Sequence, residues 1–118
     1  MQVEKLRDLV IKTLEDLKAR DIKVLDVREK TSITDIMIIA SGTSGRHVKS
    51  IAEAVAFQSK LAGEAAIGSE GLQEGEWALV DLNGVVLHVM QPKVRDFYQL
   101  ERLWSMDAKQ EEDKASEL

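Results

Sequence analysis

Cysteine is absent from the 118 residues. Its absence excludes disulfides, thiolate zinc sites and a cysteine nucleophile, and it suits a reducing compartment such as the cytoplasm. Proline occurs once and glycine seven times, too little of either for a long flexible linker. No apolar run approaches the roughly 20 residues of a membrane span, and Met1 to Val10 mixes Glu4, Lys5, Arg7 and Asp8 with its apolar residues, unlike a secretory signal. Cations are in the minority: 16 Lys and Arg against 21 Asp and Glu give a net charge of -5. That balance disfavours a protein that holds bare nucleic acid by neutralising phosphates. What is present, 44% hydrophobic and 31% charged residues, is enough to bury a core and stay soluble. The length is below the roughly 150-residue domain unit, so a single cytoplasmic domain is expected.

Hydrophobic periodicity supplies the elements. Val3, Leu6, Val10, Leu14 and Leu17 recur at steps of three and four, with Lys5, Asp8, Lys12 and Glu15 facing away, which predicts an amphipathic first helix. Ile22, Val24 and Val27 suit a strand, and Thr34 to Ser41 reads as a second strand buried on both faces. Ser41-Gly42-Thr43-Ser44-Gly45 breaks that strand and offers hydroxyl caps to a helix with Val48, Ile51, Ala52, Val55 and Leu61 inward, closed by Gly63. A weak strand is expected at Ala65 to Ile67, then a loop from Gly68 to Glu76.

The sharpest local signal is Trp77 to Leu82, Asn83-Gly84, then Val85 to Met90: two strands joined by the dipeptide favoured in a type I′ turn. Counting outward from that turn puts Leu82/Val85, Val80/Leu87 and Ala78/Val89 on one face, and Asp81/Val86, Leu79/His88 and Trp77/Met90 on the other. After Gln91-Pro92, the residues Val94, Phe97, Leu100, Leu103 and Trp104 predict one short helix. The order is αββαβββα, a single α/β domain over residues 1–104 with a mixed sheet of about five strands flanked by helices. Residues 105–118 are polar and are expected to be a disordered tail.

Catalytic material is scarce. His47 and His88 lack any HxxxH or HExxH spacing, so no metal and no cofactor are expected and packing roles are preferred for both. Gly42-Thr43-Ser44-Gly45-Arg46 leads from strand to helix as an anion loop does, but without P-loop or GxGxxG spacing, so plain capping is preferred. Ser44 has no GxSxG context. Asp26, Asp35 and Asp81 never form an Asp-x-Asp pair, which demotes a two-metal enzyme. Asp81 is as readily a hairpin-end residue as a partner contact. What stands out is Trp77, His88, Met90, Lys93 and Tyr98, which the hairpin register and the Pro92 turn gather near one edge. These are residue types enriched at protein contacts.

The stretches VLDVREKTSITDIMIIASGTSGRHVKSIAEAV and EGEWALVDLNGVVLHVMQPKVRDFYQLERLW resemble the ribosomal silencing factor family, also called Iojap-like, from Val3 to Trp104. The most specific pieces are Ser32-Ile33-Thr34-Asp35, Gly42-Thr43-Ser44 with Arg46-His47, Trp77 with Val80-Asp81, His88-Val89-Met90, and Tyr98, Leu100, Glu101 and Trp104. The resemblance implies a nucleotidyltransferase-like fold without its catalytic acids. It also implies a non-enzymatic repressor that docks on the large ribosomal subunit through ribosomal protein fourteen and blocks joining of the small subunit. Little direct RNA contact and no membrane association are expected. On this reading Trp77, Met90 and Tyr98 are apolar anchors, with Asp81, His88, Lys93 and Glu101 as polar contacts. A nucleotidyltransferase-like nucleotide-binding enzyme, using Gly42 to Arg46 with Asp35 or Asp81, is the alternative. A homodimer through the Trp77/Met90 face is a third reading.

Overall fold

The computed structural model describes residues 1–104; the expected tail at 105–118 lies outside them. The elements are α1 (Val3–Asp16), β1 (Arg20–Asp26), β2 (Ile36–Ser41), α2 (Gly45–Leu61), β3 (Gly68–Glu70), β4 (Trp77–Asp81), β5 (Val85–Met90), α3 (Pro92–Tyr98) and α4 (Leu100–Trp104). The strands form one mixed sheet in the order β1-β2-β5-β4-β3, in which β2 and β5 are parallel and every other pair is antiparallel. The expected α/β domain with a five-stranded sheet is therefore what the chain forms. No helix among the described residues is long and apolar enough to cross a membrane.

Alternation along the strands divides the apolar residues between two faces. Ile36, Ile38, Ala40, Ala78, Val80, Val85, Leu87 and Val89 point to one face and are buried there by Leu6, Val10 and Leu14 of α1 and Val48, Ile51, Ala52 and Val55 of α2. Thr13 joins this core because its hydroxyl donates to the Leu9 carbonyl at 2.9 Å, satisfying a polar group that burial would otherwise penalise. α1 stops at a left-handed Lys18 (φ 61°), where the Ala19 N–H returns to the Leu14 carbonyl and the Lys18 N–H to that of Glu15. α2 opens on Ser44, whose hydroxyl accepts from the His47 N–H at 3.1 Å, and closes at Gly63 (φ 93°), as its sequence indicates. Leu61 departs from expectation: it lies on the outer side of α2 and is exposed.

β4 and β5 pair in the expected register, from Asp81 opposite Val86 to Trp77 opposite Met90. The turn is not type I′, however, because only Asn83 has a positive φ (73°). Its neighbours explain why. The Gly84 carbonyl accepts from the N–H groups of Asp35 and Ile36, so the start of β5 is already committed to β2, and the Asp81 carboxylate takes the Asn83 N–H at 2.9 Å. The third strand also lies later than expected, at Gly68–Glu70 instead of 65–67, because a glycine-containing run pairs with β4 once the hairpin supplies a partner.

Among the described residues, the second face is covered over only part of its width. Val27, Met37, Ile39 and Met90 are buried there beneath Leu25, Trp77, Val94, Leu100 and Trp104. The single helix expected after Pro92 is two, broken at Gln99 in the left-handed region (φ 49°, ψ 51°). The break turns Val94, Leu100 and Trp104 toward the sheet and leaves Phe97 (80% exposed) and Leu103 outside, where one continuous stripe had placed them inward. Arg95 holds the two helices down. Only 6% exposed, it donates from Nε to the Glu101 carboxylate at 3.1 Å and from a terminal nitrogen to the Ser41 hydroxyl at 2.9 Å, while the Lys30 ammonium donates to the Trp104 carbonyl.

Removing one partner of such a buried group strands the others. Arg95→Met is expected to lower stability by about 2 kcal/mol in denaturant titration, less than a fully enclosed pair would lose because Glu101 reaches water. Adding Glu101→Leu to Arg95→Met should recover part of that loss, and an unchanged midpoint in the single variant would contradict the role assigned to Arg95.

Candidate functional site

The part of the second face left uncovered by the described residues lies over β3, β4 and β5. Strand alternation puts Trp77, Leu79 and Asp81 of β4 there beside Val86 and His88 of β5, and the β3 register sets Glu70 opposite Leu79. The indole N–H of Trp77 donates to Nδ1 of His88 at 2.9 Å, with ring centroids 5.9 Å apart. Trp77 also meets Tyr98 at 5.0 Å and 51°, and Tyr98 meets Phe97 edge-on at 5.0 Å and 76°. Tyr98 is 57% exposed. Four rings from β4, β5 and α3 thus make a continuous aromatic ledge at the border of the bare sheet, offering apolar area with little rotamer freedom to lose on contact.

The backbone beside the ledge is tightly specified. Gly71 (φ 78°) passes so near the next strand that a Cβ would lie 1.9 Å from the Trp77 carbonyl oxygen. Gly75 (φ 69°) packs on Gly45 at the start of α2, where a Cβ would come within 2.7 Å. Gln91 ties the segment down through its side-chain amide to the Gly75 carbonyl (2.9 Å) and its backbone N–H to the Glu76 carbonyl (3.0 Å). These glycines are needed where only a residue without Cβ fits.

The nominated residues separate on this geometry. Trp77, His88 and Tyr98 come together as the sequence indicates. Met90 does not reach the surface: it is fully buried, because its place opposite Trp77 lies beneath the α3–α4 cover, so it supports the indole and presents no anchor. Glu101 is turned inward to Arg95. Asp81 is the hairpin-end residue that accepts from Asn83, and Lys93 is exposed in the first turn of α3. Sequence reading passed over Leu79, although the hairpin register already put it opposite His88. Glu70 falls in the expected loop and Phe97 in the expected inward stripe, because their positions depend on the β3 shift and the Gln99 break. Nothing in the local sequence marked Arg95 for burial.

The alternative phosphate-and-metal site is not assembled from the residues it requires. Gly42 follows the last residue of β2 and Asp35 precedes the first, so a strand of about 20 Å separates them. Asp81 lies at the Asp35 end of the sheet. A metal bridging nucleotide phosphates needs these groups within a single coordination sphere. Two of the loop's amides are also occupied: the Gly42 N–H donates to the Met90 carbonyl, and the Thr43 N–H to Nδ1 of His47 at 2.9 Å. The Nε2 of His47 donates to the Leu17 carbonyl at 2.7 Å, so this histidine is a structural brace between α1 and α2.

Burial lowers the His88 pKa to about 4, and accepting from Trp77 requires an unprotonated Nδ1. A histidine whose folded pKa lies below its unfolded one stabilises the protein fully above the unfolded value and loses that contribution as pH falls through the folded one. Stability should therefore drop by about 2 kcal/mol between about pH 7 and about pH 4.5 from this residue. The His88→Gln variant, which keeps an acceptor but cannot titrate, should show a flatter profile over that window. A His88 NMR titration midpoint near the ordinary 6.5 would contradict the assignment.

The family described as "Ribosomal silencing factor during starvation" matches residues 1–118. The chain is 47% identical over 104 residues to a ribosomal silencing factor of Chromobacterium violaceum, covering 88% of this chain and 85% of that protein. It is 44% identical over 100 residues to the one of Haemophilus influenzae, covering 85% and 98%. A mouse protein named "Mitochondrial assembly of ribosomal large subunit protein 1" is 32% identical over 102 residues, covering 84% of this chain and 45% of its own. A crystal structure from Chromobacterium violaceum superposes with a TM-score of 0.88 at 47% identity, over 89% of this chain and 88% of that one. One from Bacillus halodurans superposes at 0.79 and 30% identity, over 86% and 94%. With the family match running over residues 1–118 and the superposition covering 89% of this chain, the chain belongs to the ribosomal silencing factor family.

Proposed function

We propose that this protein is a non-enzymatic, cytoplasmic repressor of translation that docks on the large ribosomal subunit through ribosomal protein fourteen and occupies the face where the small subunit joins. The observation that carries the reading is the Phe97–Tyr98–Trp77–His88 ledge beside a bare stretch of sheet, braced by Arg95 and by the Gly71–Gly75 contacts. Such a surface suits recognition by shape, since its groups are preorganised and apolar area is left unburied. Family membership supports the coarser part of the proposal, and the names of the relatives point to ribosomes.

Repression then follows from excluded volume. Two bodies cannot occupy one surface, so a small domain bound at the joining face prevents association without a chemical step. Trp77 and Tyr98 are the apolar anchors, with His88, Asp81 and Lys93 around them; Met90 and Glu101 act from behind by supporting the indole and by bracing α4. The net charge of -5 suits a basic ribosomal protein better than exposed RNA.

Substituting Trp77→Ala or Tyr98→Ala should each weaken co-sedimentation with purified bacterial large subunits by roughly tenfold or more, the loss expected of an interface hot spot. Circular dichroism should show the fold retained. In the same reactions, wild-type protein should reduce the yield of joined ribosomes when small subunits are added. Full affinity in both variants would refute this face, and undiminished joining with the protein bound would refute steric exclusion.

A further inference from the structure

Beside the aromatic ledge runs an open groove of about 310 Å³ lined by Glu70, Gly71, Trp77, Leu79 and His88. Its cross-strand neighbours are in direct register: Glu70 opposite Leu79, and Leu79 opposite His88. The groove is apolar along Trp77 and Leu79 and ends in one carboxylate. Glu70 is exposed, and its carboxylate makes neither a hydrogen bond nor an ion pair among the described residues. Its backbone is nevertheless fixed, because Gly71, the next residue, is pressed against the Trp77 carbonyl, and β3 is paired to β4 through Glu70 itself.

We infer that this groove receives an arginine side chain of the docking partner, with Glu70 as the residue that selects it. The inference rests on the docking proposal above and gives the bound face its charge preference. A long alkyl stem fits along Leu79 while a planar guanidinium lies on the indole of Trp77 and reaches the carboxylate with two parallel N–H donors. Lysine fits less well, because its ammonium is a compact, strongly hydrated point charge that cannot match both carboxylate oxygens in one plane. A phosphate backbone is the wrong sign for an unpaired carboxylate. His88, which accepts the indole N–H and itself lines the groove, contributes no competing positive charge at neutral pH because burial keeps it unprotonated.

The test is equilibrium binding of the full chain to salt-washed bacterial large subunits across a monovalent-salt series, with wild type, Glu70→Gln, Glu70→Asp, Glu70→Lys and Trp77→Ala. Glu70→Gln should bind about tenfold more weakly at low salt, the scale of a charge-assisted pair at an open site, and should depend less on salt than wild type. Glu70→Asp, whose carboxylate falls short, should lie between them, and Glu70→Lys should be the weakest of the three. Wild-type affinity and salt dependence in Glu70→Gln, with Trp77→Ala still impaired, would overturn the arginine site and leave the docking face standing. Tighter binding by Glu70→Lys would overturn it in favour of an RNA phosphate in the groove. Equal binding by all variants would remove both the site and the face on which it rests.

Discussion

The structure depends on the register between β2 and β5, the parallel pair at the centre of the sheet. Ile36 to Ser41 run beside Val85 to Met90 residue for residue, so Ile38 and Leu87 face α1 and α2 while Ile39 and His88 face the opposite way. A slip of one residue would exchange these sets, driving His88 into the larger core and exposing the row Val85, Leu87 and Val89. The register is held at its lower end by the Gly84 carbonyl, which accepts from Asp35 and Ile36, and at its upper end by the Gly42 N–H on the Met90 carbonyl. Because β4 and then β3 are paired outward from β5, the position of every group in the candidate site is inherited from that central match.

Coverage of the second face is what separates a buried surface from an available one. α3 and α4 are too short to span five strands, and they spread only as far as Met90, Ile39 and Val27. Trp77 sits at their margin and belongs to both regions: it packs on the covered cluster, meets Tyr98 and lines the open groove. Its indole N–H would be costly to leave unpaired in this setting, and the neutral His88 satisfies it. The same hydrogen bond that settles the protonation of His88 therefore sets the tilt of the ring that a partner would meet.

Elements whose signals are local were legible in the sequence. The amphipathic stripe of α1, the Ser44 cap and Gly63 stop of α2, the doubly buried β2 and the β4–β5 register all follow from periodicity and turn chemistry within a few residues. Features decided by distant partners were not. β3 is specified by β4 and not by β-propensity, the Asn83-Gly84 turn is shaped by β2, and the break at Gln99 comes with Arg95 reaching back to Ser41. For the site, strand alternation was enough to bring Trp77 and His88 together. It could not tell that Met90, on the same face, lies under a helix, since alternation gives the side of a sheet but not what covers it.

The loop from Gly42 to His47 shows how a backbone suited to one chemistry can be committed to another use. A strand that runs through a small-residue turn into a helix presents amide donors, and an anion could satisfy them. Here three of them are satisfied internally: Met90 takes the Gly42 N–H, the His47 ring takes that of Thr43, and the Ser44 hydroxyl takes that of His47. The other ring nitrogen of His47 holds the end of α1, so admitting a phosphate at Thr43 would mean displacing a contact between two helices as well as a hydrogen bond. Each of these bonds is modest alone, but together they turn a potential ligand loop into a joint of the scaffold. The consequence reaches the opposite side of the sheet, because Gly45 in this joint is the surface on which Gly75 rests. Through Gly75 and Gln91, the joint holds the segment that flanks Trp77.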